Sequence, residues 1–394
     1  MIARGGFRLA SGGVLAALLA AGPVTAAPIK LSVDTDVRLG YDMNPFLSPG
    51  SDVASGYVSA GIRPQAKMTT EKGSITASGH FDSTYYEKRY DQSNQYGAQL
   101  DVQQRVSPKL TVFGNLSYDS EIIGQGSFGD NVTGPPIDDT DVNLLGTRRR
   151  SDTYRASAGY QYQLSSKDMI TADANYSATR YGSGPTGSDY DNIGGSIGYR
   201  RAISERTRVG VTMAAYRIEY DTPGLITWVM EPAVTFSTSL SATWRVEAQL
   251  GMSFTKLYLP APQVDRRAKG VSGNISLCHT GTKDDFCFYG SRNVTGSGVG
   301  GTVERTQFGV NYSRRLTETL RWSGNASYAR SKSQAVALDT REYLNARGGL
   351  SWQAKPWLIL GADAQYRDVY GGGRQIRADY GGEISATVSL PGRK

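Results

Sequence analysis

Residues 244–255 read WRVEAQLGMSFT. One set of alternate positions holds tryptophan, valine, alanine, leucine, methionine and phenylalanine. The other set holds arginine, glutamate, glutamine, glycine, serine and threonine. A period of two over this length predicts a long β-strand with one apolar and one polar face. Strands in soluble sandwiches have about five or six residues, whereas a tilted strand needs about nine to eleven to cross a bilayer. The stretch therefore favours a membrane-spanning strand.

The same alternation recurs along the chain, for example over 170–179, 320–328 and 358–367. Short turn segments and longer, glycine-rich segments separate these strands and alternate strictly. Eight short turns and nine loops make seventeen connections, which predicts eighteen strands. Outer-membrane barrels have this arrangement, with an even number of strands, short periplasmic turns and longer extracellular loops. We therefore expect an all-β, up-and-down antiparallel transmembrane barrel. Sixteen strands are the alternative if 271–279 and 286–294 form one loop, and a soluble all-β fold is the other interpretation.

The composition agrees with such a barrel. The chain has 394 residues, of which 39% are hydrophobic, 20% charged and 10% aromatic. This is too aromatic for a disordered chain and poor in apolar residues for a large interior core. A barrel needs no such core, because lipid covers its outer face and water its inner face.

The charge and the rare residue types exclude several function classes. The formal net charge is +7, and no run of lysine and arginine exceeds three residues, so we expect no nucleic-acid partner. Two histidines and two cysteines leave little material for a zinc site or a histidine-based catalytic centre. We expect no metal, no cofactor and no enzymatic activity.

The N-terminal residues resemble a secretory signal. Arg4 and Arg8 precede an apolar run over 14–21, and small residues follow at 24–26. This pattern predicts a signal peptide over 1–26, cleaved after Ala26, and a single barrel domain over 27–394. The expected location is the outer membrane of a Gram-negative bacterium, with its lipid as a partner.

The two cysteines, Cys278 and Cys287, lie symmetrically about a turn at Thr282 and Lys283 and share the polar face. In an exported protein this spacing favours a disulfide with a structural role. Free thiols are the alternative, and a metal site is disfavoured because a fourth ligand is missing.

His80 lies between Ser78 and Asp82 on the polar face of one strand. Serine, histidine and aspartate together suggest a hydrolase, as in some outer-membrane barrels. The alternative is a hydrogen-bonded histidine in the lumen wall, which we favour because serine and aspartate are common on any polar face.

The longest loop, 120–151, combines acidic and basic residues. It can fold inward and set a transverse field at a constriction, or remain exposed. Its charged candidates are Asp138, Asp139, Asp141, Arg148, Arg149 and Arg150. Strand parity adds further inward-facing candidates for the pore wall: Arg155, Arg200, Arg245, Glu247, Arg321, Arg347 and Arg367. Because lumen charges tune selectivity, the arginines predict a mild preference for anions or sugars.

Three segments carry a family resemblance. Asn44, Pro45 and Phe46 follow Tyr41 and Asp42; a turn spans 105–110; and the stretch from 290–294 through 311–316 reads GSRNV and then NYSRRL. On these segments the chain resembles the outer-membrane β-barrel porin family, second type. The resemblance implies a barrel associated with exopolysaccharide production and export, and it implies no catalytic residues.

Three functions are compatible with these observations. The first is a porin-like passive conduit associated with exopolysaccharide export, with polysaccharide or small polar solutes as its cargo. The second is a non-conducting structural or assembly component that binds other export proteins. The third is an outer-membrane barrel hydrolase.

Overall fold

A computed structural model describes residues 28–50, 53–125, 141–182, 187–259, 265–334, 340–372 and 376–391. The expected signal peptide, Asp138 and Asp139 lie outside these residues. The strands are β1 (Ile29–Asp42), β2 (Ser55–Thr69), β3 (Gly73–Tyr86), β4 (Gln92–Arg105), β5 (Leu110–Ile122), β6 (Arg150–Gln163), β7 (Asp168–Tyr181), β8 (Tyr190–Ala202), β9 (Thr207–Tyr220), β10 (Ile226–Ser239), β11 (Trp244–Tyr258), β12 (Arg266–Thr280), β13 (Asp284–Gly296), β14 (Thr302–Arg315), β15 (Leu320–Ser333), β16 (Arg341–Lys355), β17 (Leu358–Gly371) and β18 (Asp379–Pro391).

These strands form one closed antiparallel barrel. Each strand pairs with its neighbours in the chain, and β1 pairs with β18, where Val37 lies opposite Ala386. The predicted eighteen-stranded up-and-down barrel is confirmed. The sixteen-strand alternative is wrong, because 271–279 lies within β12 and 286–294 lies within β13, and both strands belong to the barrel wall.

The two ends of the barrel differ as the sequence predicts. Connections after even-numbered strands have two to four residues, and those after odd-numbered strands have five to twenty-seven. We call these the short-turn end and the loop end. The loops used below are L1 (43–54), L2 (87–91), L3 (123–149), L6 (259–265), L7 (297–301) and L9 (372–378). Strand β1 starts and β18 finishes at the short-turn end.

Six of the short turns share one local device. A serine or threonine hydroxyl near the start of the turn accepts hydrogen bonds from backbone amides two and three residues further on, which holds the chain in a tight reversal. In the turn after β8, for example, Ser204 Oγ accepts from the amides of Arg206 at 3.3 Å and Thr207 at 3.0 Å. The residues in this role are Thr70, Ser107, Ser165, Ser204, Ser241 and Thr317.

The alternation in the sequence sorts the side chains between two faces. Leu250, at the middle of β11, points outward and is 69% exposed, whereas its neighbour Gln249 pairs with inward positions on β10 and β12. Large apolar side chains cover the outward face and polar ones the inward face. The buried apolar clusters lie near the loop end, where loop residues pack inside the ring.

Helix is rare in the described part of this chain. Within the described residues a 3-10 helix covers Val142–Leu144 in L3. The helical part of the described chain includes no segment with the length and apolar character needed to cross a membrane.

The two cysteines lie directly opposite each other in the β12–β13 register, on the inward face. They form a disulfide across this hairpin. Because the turn between the strands already sets the register, the bridge acts as an added restraint near the short-turn end.

We expect the double variant Cys278→Ser/Cys287→Ser to keep the barrel fold and to lose about 2–3 kcal/mol of unfolding free energy. This is the chain-entropy estimate for closing a loop of about ten residues. Urea unfolding of the refolded protein in detergent micelles measures the loss. Reductant should shift the midpoint of the wild type but not that of the double variant. An equal midpoint for both proteins under oxidising conditions would contradict a stabilising bridge.

Candidate functional site: a plugged lumen

Loop L3 crosses the mouth of the barrel. It leaves the wall between β5 and β6, yet its 3-10 helix packs against β15 and β16, and β15 lies nine strands from β6 in a ring of eighteen. Asn143 Nδ2 donates to Ser331 Oγ of β15 at 2.8 Å. Arg341 of β16 donates to the carbonyls of residues 142, 143 and 145 at 3.3, 2.9 and 3.3 Å. The described part of L3 therefore spans the lumen to the opposite wall.

An apolar core fixes this loop in place. Leu47 of L1 and Leu144 of L3 are 0% and 1% exposed. Full burial of such a side chain contributes about 1.5–3 kcal/mol. The cluster comprises Leu47, Ile123, Val142, Leu144, Leu145 and the inward-facing Ala329, Tyr343 and Val369 of β15, β16 and β17. L1, L3 and three strands thus form a packed plug inside the loop end.

Two glycines permit the close approach of L1 and L3. Gly124 and Gly146 have φ angles of +84° and +82°, a backbone region that favours glycine. A Cβ atom on Gly124 would lie 2.7 Å from the carbonyl oxygen of Phe46, and one on Gly146 would lie 2.8 Å from that of Leu47. A larger residue at either position would push the two loops apart.

Aromatic residues hold L1 against the neighbouring strands. The Phe46 ring lies 4.7 Å from the Tyr90 ring of L2 and 5.2 Å from the Tyr86 ring of β3. The Arg148 guanidinium lies 4.8 Å from the centre of the Phe46 ring. Tyr90 Oη donates to the carbonyl of Val53 at 2.9 Å. Burial raises the pKa of the Tyr90 hydroxyl, so it remains a donor at neutral pH.

A buried ion pair at the end of β17 and β18 ties the loops to the wall. Arg367 is 3% exposed, and its Nη2 atom lies 2.6 Å from Asp379 Oδ2. Arg367 also donates to the carbonyls of Gly124 at 2.8 Å and Pro45 at 2.9 Å. The backbone amide of Asn44 donates to the other oxygen of Asp379 at 2.7 Å. This arginine was expected in the pore wall. Its parity is inward, but it holds L1 and L3 rather than facing the open lumen.

Loop L7 joins the plug through Asp141. One oxygen of Asp141 caps the 3-10 helix by accepting from the Asn143 amide at 3.0 Å. The other accepts from Ser297 Oγ at 2.8 Å and the Gly298 amide at 2.7 Å. Asp141 therefore links L3 to L7, and its carboxylate has protein partners on both oxygens.

The three consecutive arginines of L3 have separate partners. Arg148 packs on Phe46 and donates to the carbonyl of Tyr90, and Arg149 donates to the carbonyl of Gly182. Arg150, the first residue of β6, donates to Ser120 Oγ at 2.8 Å and lies over the Tyr96 ring. These contacts fasten L3 to neighbouring segments, and the parity of Arg150 is outward.

The remaining candidates lie on the inward face, on the strands expected for them. Arg155, Arg200 and Arg321 belong to β6, β8 and β15. Arg245 and Glu247 form an ion pair of 2.6 Å with both side chains about half exposed. Arg347 lies 2.9 Å from Glu383 and 3.3 Å from Asp363.

Sequence reasoning missed an ion network on β1, β2 and β3. Arg38 lies 2.6 Å from Asp36, and Arg63 lies 2.8 Å from Asp82 and also contacts Asp36. Gly61 is opposite Asp36 on one side and Asp82 on the other. A Cβ atom there would come within 2.7 Å of both carboxylates. Because Gly61 has no side chain, there is space for Arg38 and Arg63 between the carboxylates of Asp36 and Asp82.

This network forms one wall of an open cavity of about 520 Å³ below L1. His80 also lines it, with Nε2 3.8 Å from a carboxylate oxygen of Asp119 on β5. Asp82 is bound by Arg63 and Arg38, so the Ser78–His80–Asp82 set of the hydrolase interpretation is not arranged as a triad. Among the described residues, no three His, Cys, Asp or Glu side chains form a group that could hold a metal ion.

A second cavity, of about 90 Å³, lies below L3. Arg155 of β6 and Arg305 of β14 both line it, although these strands lie eight positions apart in the ring. Side chains from nearly opposite walls thus share a small space, which means that the lumen is narrow at this height.

The inward charges are unevenly distributed around the ring. Acidic residues predominate on β17, β18 and β1–β5, whereas arginines predominate on β6–β16, so the two halves of the lumen wall have opposite sign. Examples from the first half are Asp34, Asp36, Asp82, Asp119, Glu121, Asp363 and Glu383, and examples from the second are Arg155, Arg200, Arg208, Arg245, Arg305, Arg315 and Arg321.

Solved structures of several outer-membrane proteins are similar to this chain. A BenF-like porin from Pseudomonas fluorescens has 8% identity and a TM-score of 0.48, with 92% of this chain and 98% of that one covered. OccAB4 of Acinetobacter baumannii has 10% identity and a TM-score of 0.46, covering 94% and 100%. The FrpB iron transporter of Neisseria meningitidis has 9% identity and a TM-score of 0.48; 86% of this chain matches 62% of FrpB.

No protein-family model matches this chain, and no curated protein matches it.

We expect Arg367→Met to lower the unfolding free energy by about 3–5 kcal/mol, because it leaves the buried Asp379 without its cation. Proteolysis of L1 and L3 should accelerate at the same time. Arg321→Met, at an exposed inward position, is the control and should change stability by about 0.5 kcal/mol or less. Unfolding in micelles and limited proteolysis provide the measurements. Equal effects of the two substitutions would refute the clamp role of Arg367.

Proposed function

We propose that this protein is an outer-membrane barrel that conducts small polar solutes and is restricted at its loop end by the L1–L3–L7 plug. The observation that carries the proposal is a closed barrel with an apolar outward face and a polar, water-accessible inner wall.

The outward face supports a location in lipid. Exposed tryptophans lie close to the short-turn end, and exposed tyrosines and Trp228 lie close to the loop end, as in the interfacial girdles of membrane barrels. The first group is Trp322, Trp352 and Trp357, and the second is Tyr41, Tyr85, Trp228, Tyr370 and Tyr380. Between the girdles lie exposed apolar residues such as Val234 and Leu250, 61% and 69% exposed. An exposed apolar belt of this kind matches the lipid-facing band of membrane barrels.

The inner wall supports conduction of polar solutes. Charged and amide side chains line the cavity of about 520 Å³, and the ion pair between Arg245 and Glu247 is half exposed near the short-turn end. A wall of fixed charges with both signs favours hydrated, polar cargo over apolar cargo. Lumen width below L3 limits such cargo to small molecules, unless L3 moves.

The plug supports restriction rather than free diffusion. L3 is held by the apolar core, by Arg341 and by the hydrogen bond between Asn143 and Ser331. Passage through the loop end then requires these contacts to open.

A more specific version of this proposal is that the barrel takes part in exopolysaccharide export. Its support is the sequence resemblance, and the cargo would be polysaccharide or its small precursors. A non-conducting assembly component that binds other export proteins is the competing form, and the electrical recordings described below discriminate between them.

We expect Leu250→Arg to lower the unfolding free energy in lipid vesicles by about 2–4 kcal/mol, because it places a charge at the middle of the lipid-facing surface. Its neighbour Gln249 faces the lumen, so Gln249→Arg is the matched control and should cost little. Denaturant titration of the two variants in vesicles gives both values. Comparable losses would contradict the assignment of the outward face to lipid.

A reversible lock tests whether L3 restricts conduction. In a Cys278→Ser/Cys287→Ser background, Asn143→Cys/Ser331→Cys should bridge L3 to β15, because the native side chains lie 2.8 Å apart. We expect low single-channel conductance in planar bilayers while the bridge is oxidised and a higher mean conductance after reduction. The two single-cysteine variants, which cannot form the bridge, are the controls.

Conductance that is high and unaffected by the redox state of the lock would remove the role of L3 as a restriction. Absence of conductance in all of these proteins, over many insertions, would favour the non-conducting component instead.

A further inference from the structure

The barrel wall contains a seam at its loop end, between β12 and β13. These two strands pair from Gly273 and Arg292 down to Thr280 and Asp285. Above Gly273, β12 continues to pair with β11, but residues 267–272 have no partner in β13. Among the described strands this is the shortest of the neighbour pairings, and it leaves the β13-facing edge of this part of β12 without a partner strand.

The seam exists because the upper part of the β13–β14 hairpin leans into the lumen. Tyr216 Oη of β9 donates to the carbonyl of Val294 at 2.7 Å, although β9 and β13 lie four strands apart. Tyr220 Oη accepts from the Ser297 amide at 3.3 Å and donates to the carbonyl of Gly301. The hairpin covers the inner wall of β10–β12, where Thr227, Val229, Ser253 and Leu257 are at most 3% exposed.

Gly273 lies where the two strands separate. Its φ angle is +154°, and a Cβ atom on it would lie 2.2 Å from the carbonyl oxygen of Gln249. A side chain would therefore not fit, and the glycine permits the backbone conformation at which β12 diverges from β13.

The margin of the seam is rich in cations. Arg267 and Lys269 of β12 are exposed on the outward face, and Lys256 lies opposite Arg267 on β11. At the base of the seam, Arg292 is exposed and lies 2.6 Å from Glu304. Glu304 and Asp265 are the described carboxylates near this margin.

The upper part of the seam also lies at the height of a lipid headgroup. Trp228, Lys256 and Arg267 form one row across β10, β11 and β12, so the cations share the level of the aromatic girdle. Peptide groups at this level find hydrogen-bonding partners in headgroups and water, which the lipid tails below do not supply. The complementary occupant carries negative charge for the cations and hydroxyl or amide groups for the β12 edge.

From this arrangement we propose that the β12–β13 seam binds the headgroup of a phosphorylated glycolipid in the outer leaflet. Arg267 and Lys269 contact its phosphate oxygens, and those backbone groups of residues 267–272 that point away from β11 bond to its sugar. The proposal rests on the outer-membrane location given under Proposed function, but not on conduction.

Hydrogen exchange tests the contact with the backbone. The full-length mature protein is placed in phosphatidylcholine nanodiscs with or without diphosphoryl lipid A. Slower exchange of those amides of 267–272 that point away from β11 is expected with lipid A, and no change is expected in β15. Equal slowing by dephosphorylated lipid A, or no slowing at all, would overturn the proposal.

Charge variants test the contact with phosphate. Arg267→Gln/Lys269→Gln should weaken lipid A binding, measured by native mass spectrometry, by roughly tenfold to thirtyfold. The matched control is Arg330→Gln/Lys332→Gln, which removes two outward cations at the loop end of β15, a strand paired on both sides. Equal weakening in both would mean general charge attraction and would refute a seam site.

Inorganic phosphate in large excess distinguishes the source of the anion. If free phosphate displaces lipid A completely, the lipid assignment is wrong; if lipid A remains bound, it is supported. The test is independent of channel activity, since it needs only folded protein in lipid. A protein that binds lipid A without conducting would refute the proposed function and leave this proposal intact.

Discussion

The rest of the structure depends on one constraint: each peptide group of the wall must find its hydrogen-bond partner within the protein, as the proposed membrane location requires. A strand cannot satisfy both of its edges alone, so the sheet has to close on itself, and β18 returns to β1. Closure then determines the side-chain pattern. With lipid on one side and water on the other, a period of two is the pattern that satisfies both solvents, and the serine and threonine turns reverse the chain without leaving amides unpaired.

A ring of eighteen strands also encloses more space than wall side chains alone can fill, and the loops resolve this at one end only. L1, L3 and L7 bring their own apolar residues and pack them against small and aromatic wall residues such as Ala329 and Tyr343. The loop carbonyls buried in this way need donors. Arg367 and Arg341 supply them, and Asp379 balances the charge of Arg367. Arg341 and Arg367 therefore stabilise the folded plug, whereas Arg245 and Glu247 line the open lumen.

The sequence was sufficient to predict the barrel wall but not the packing of the loops inside it. Strict alternation predicted eighteen strands and their inward faces, because each hairpin is local and a one-residue slip would expose its apolar side. The packing of L3 could not be predicted in this way. Val142, Leu144 and Leu145 have no strand period, and their partners on the wall, Ala329, Tyr343 and Val369, lie on strands far along the chain. The network around Gly61 was missed for a related reason: Asp36 and Asp82 lie on strands that are not neighbours and meet only across a residue without a side chain.

The β12–β13 seam is the place where this constraint is locally broken. It is informative because such a break leaves peptide groups without a partner in the sheet. At Gly273 the wall gives up hydrogen bonds between β12 and β13 so that the β13–β14 hairpin can cover the inner surface of β10–β12. The hairpin gains partners in Tyr216 and Tyr220, but the open edge of β12 gains none from β13. A fold that follows the constraint around the rest of the ring keeps such an edge only if its surroundings satisfy it. Trp228 and the exposed Arg267 share one level, and in the proposed membrane the surroundings at that level are charged headgroups rather than hydrocarbon tails.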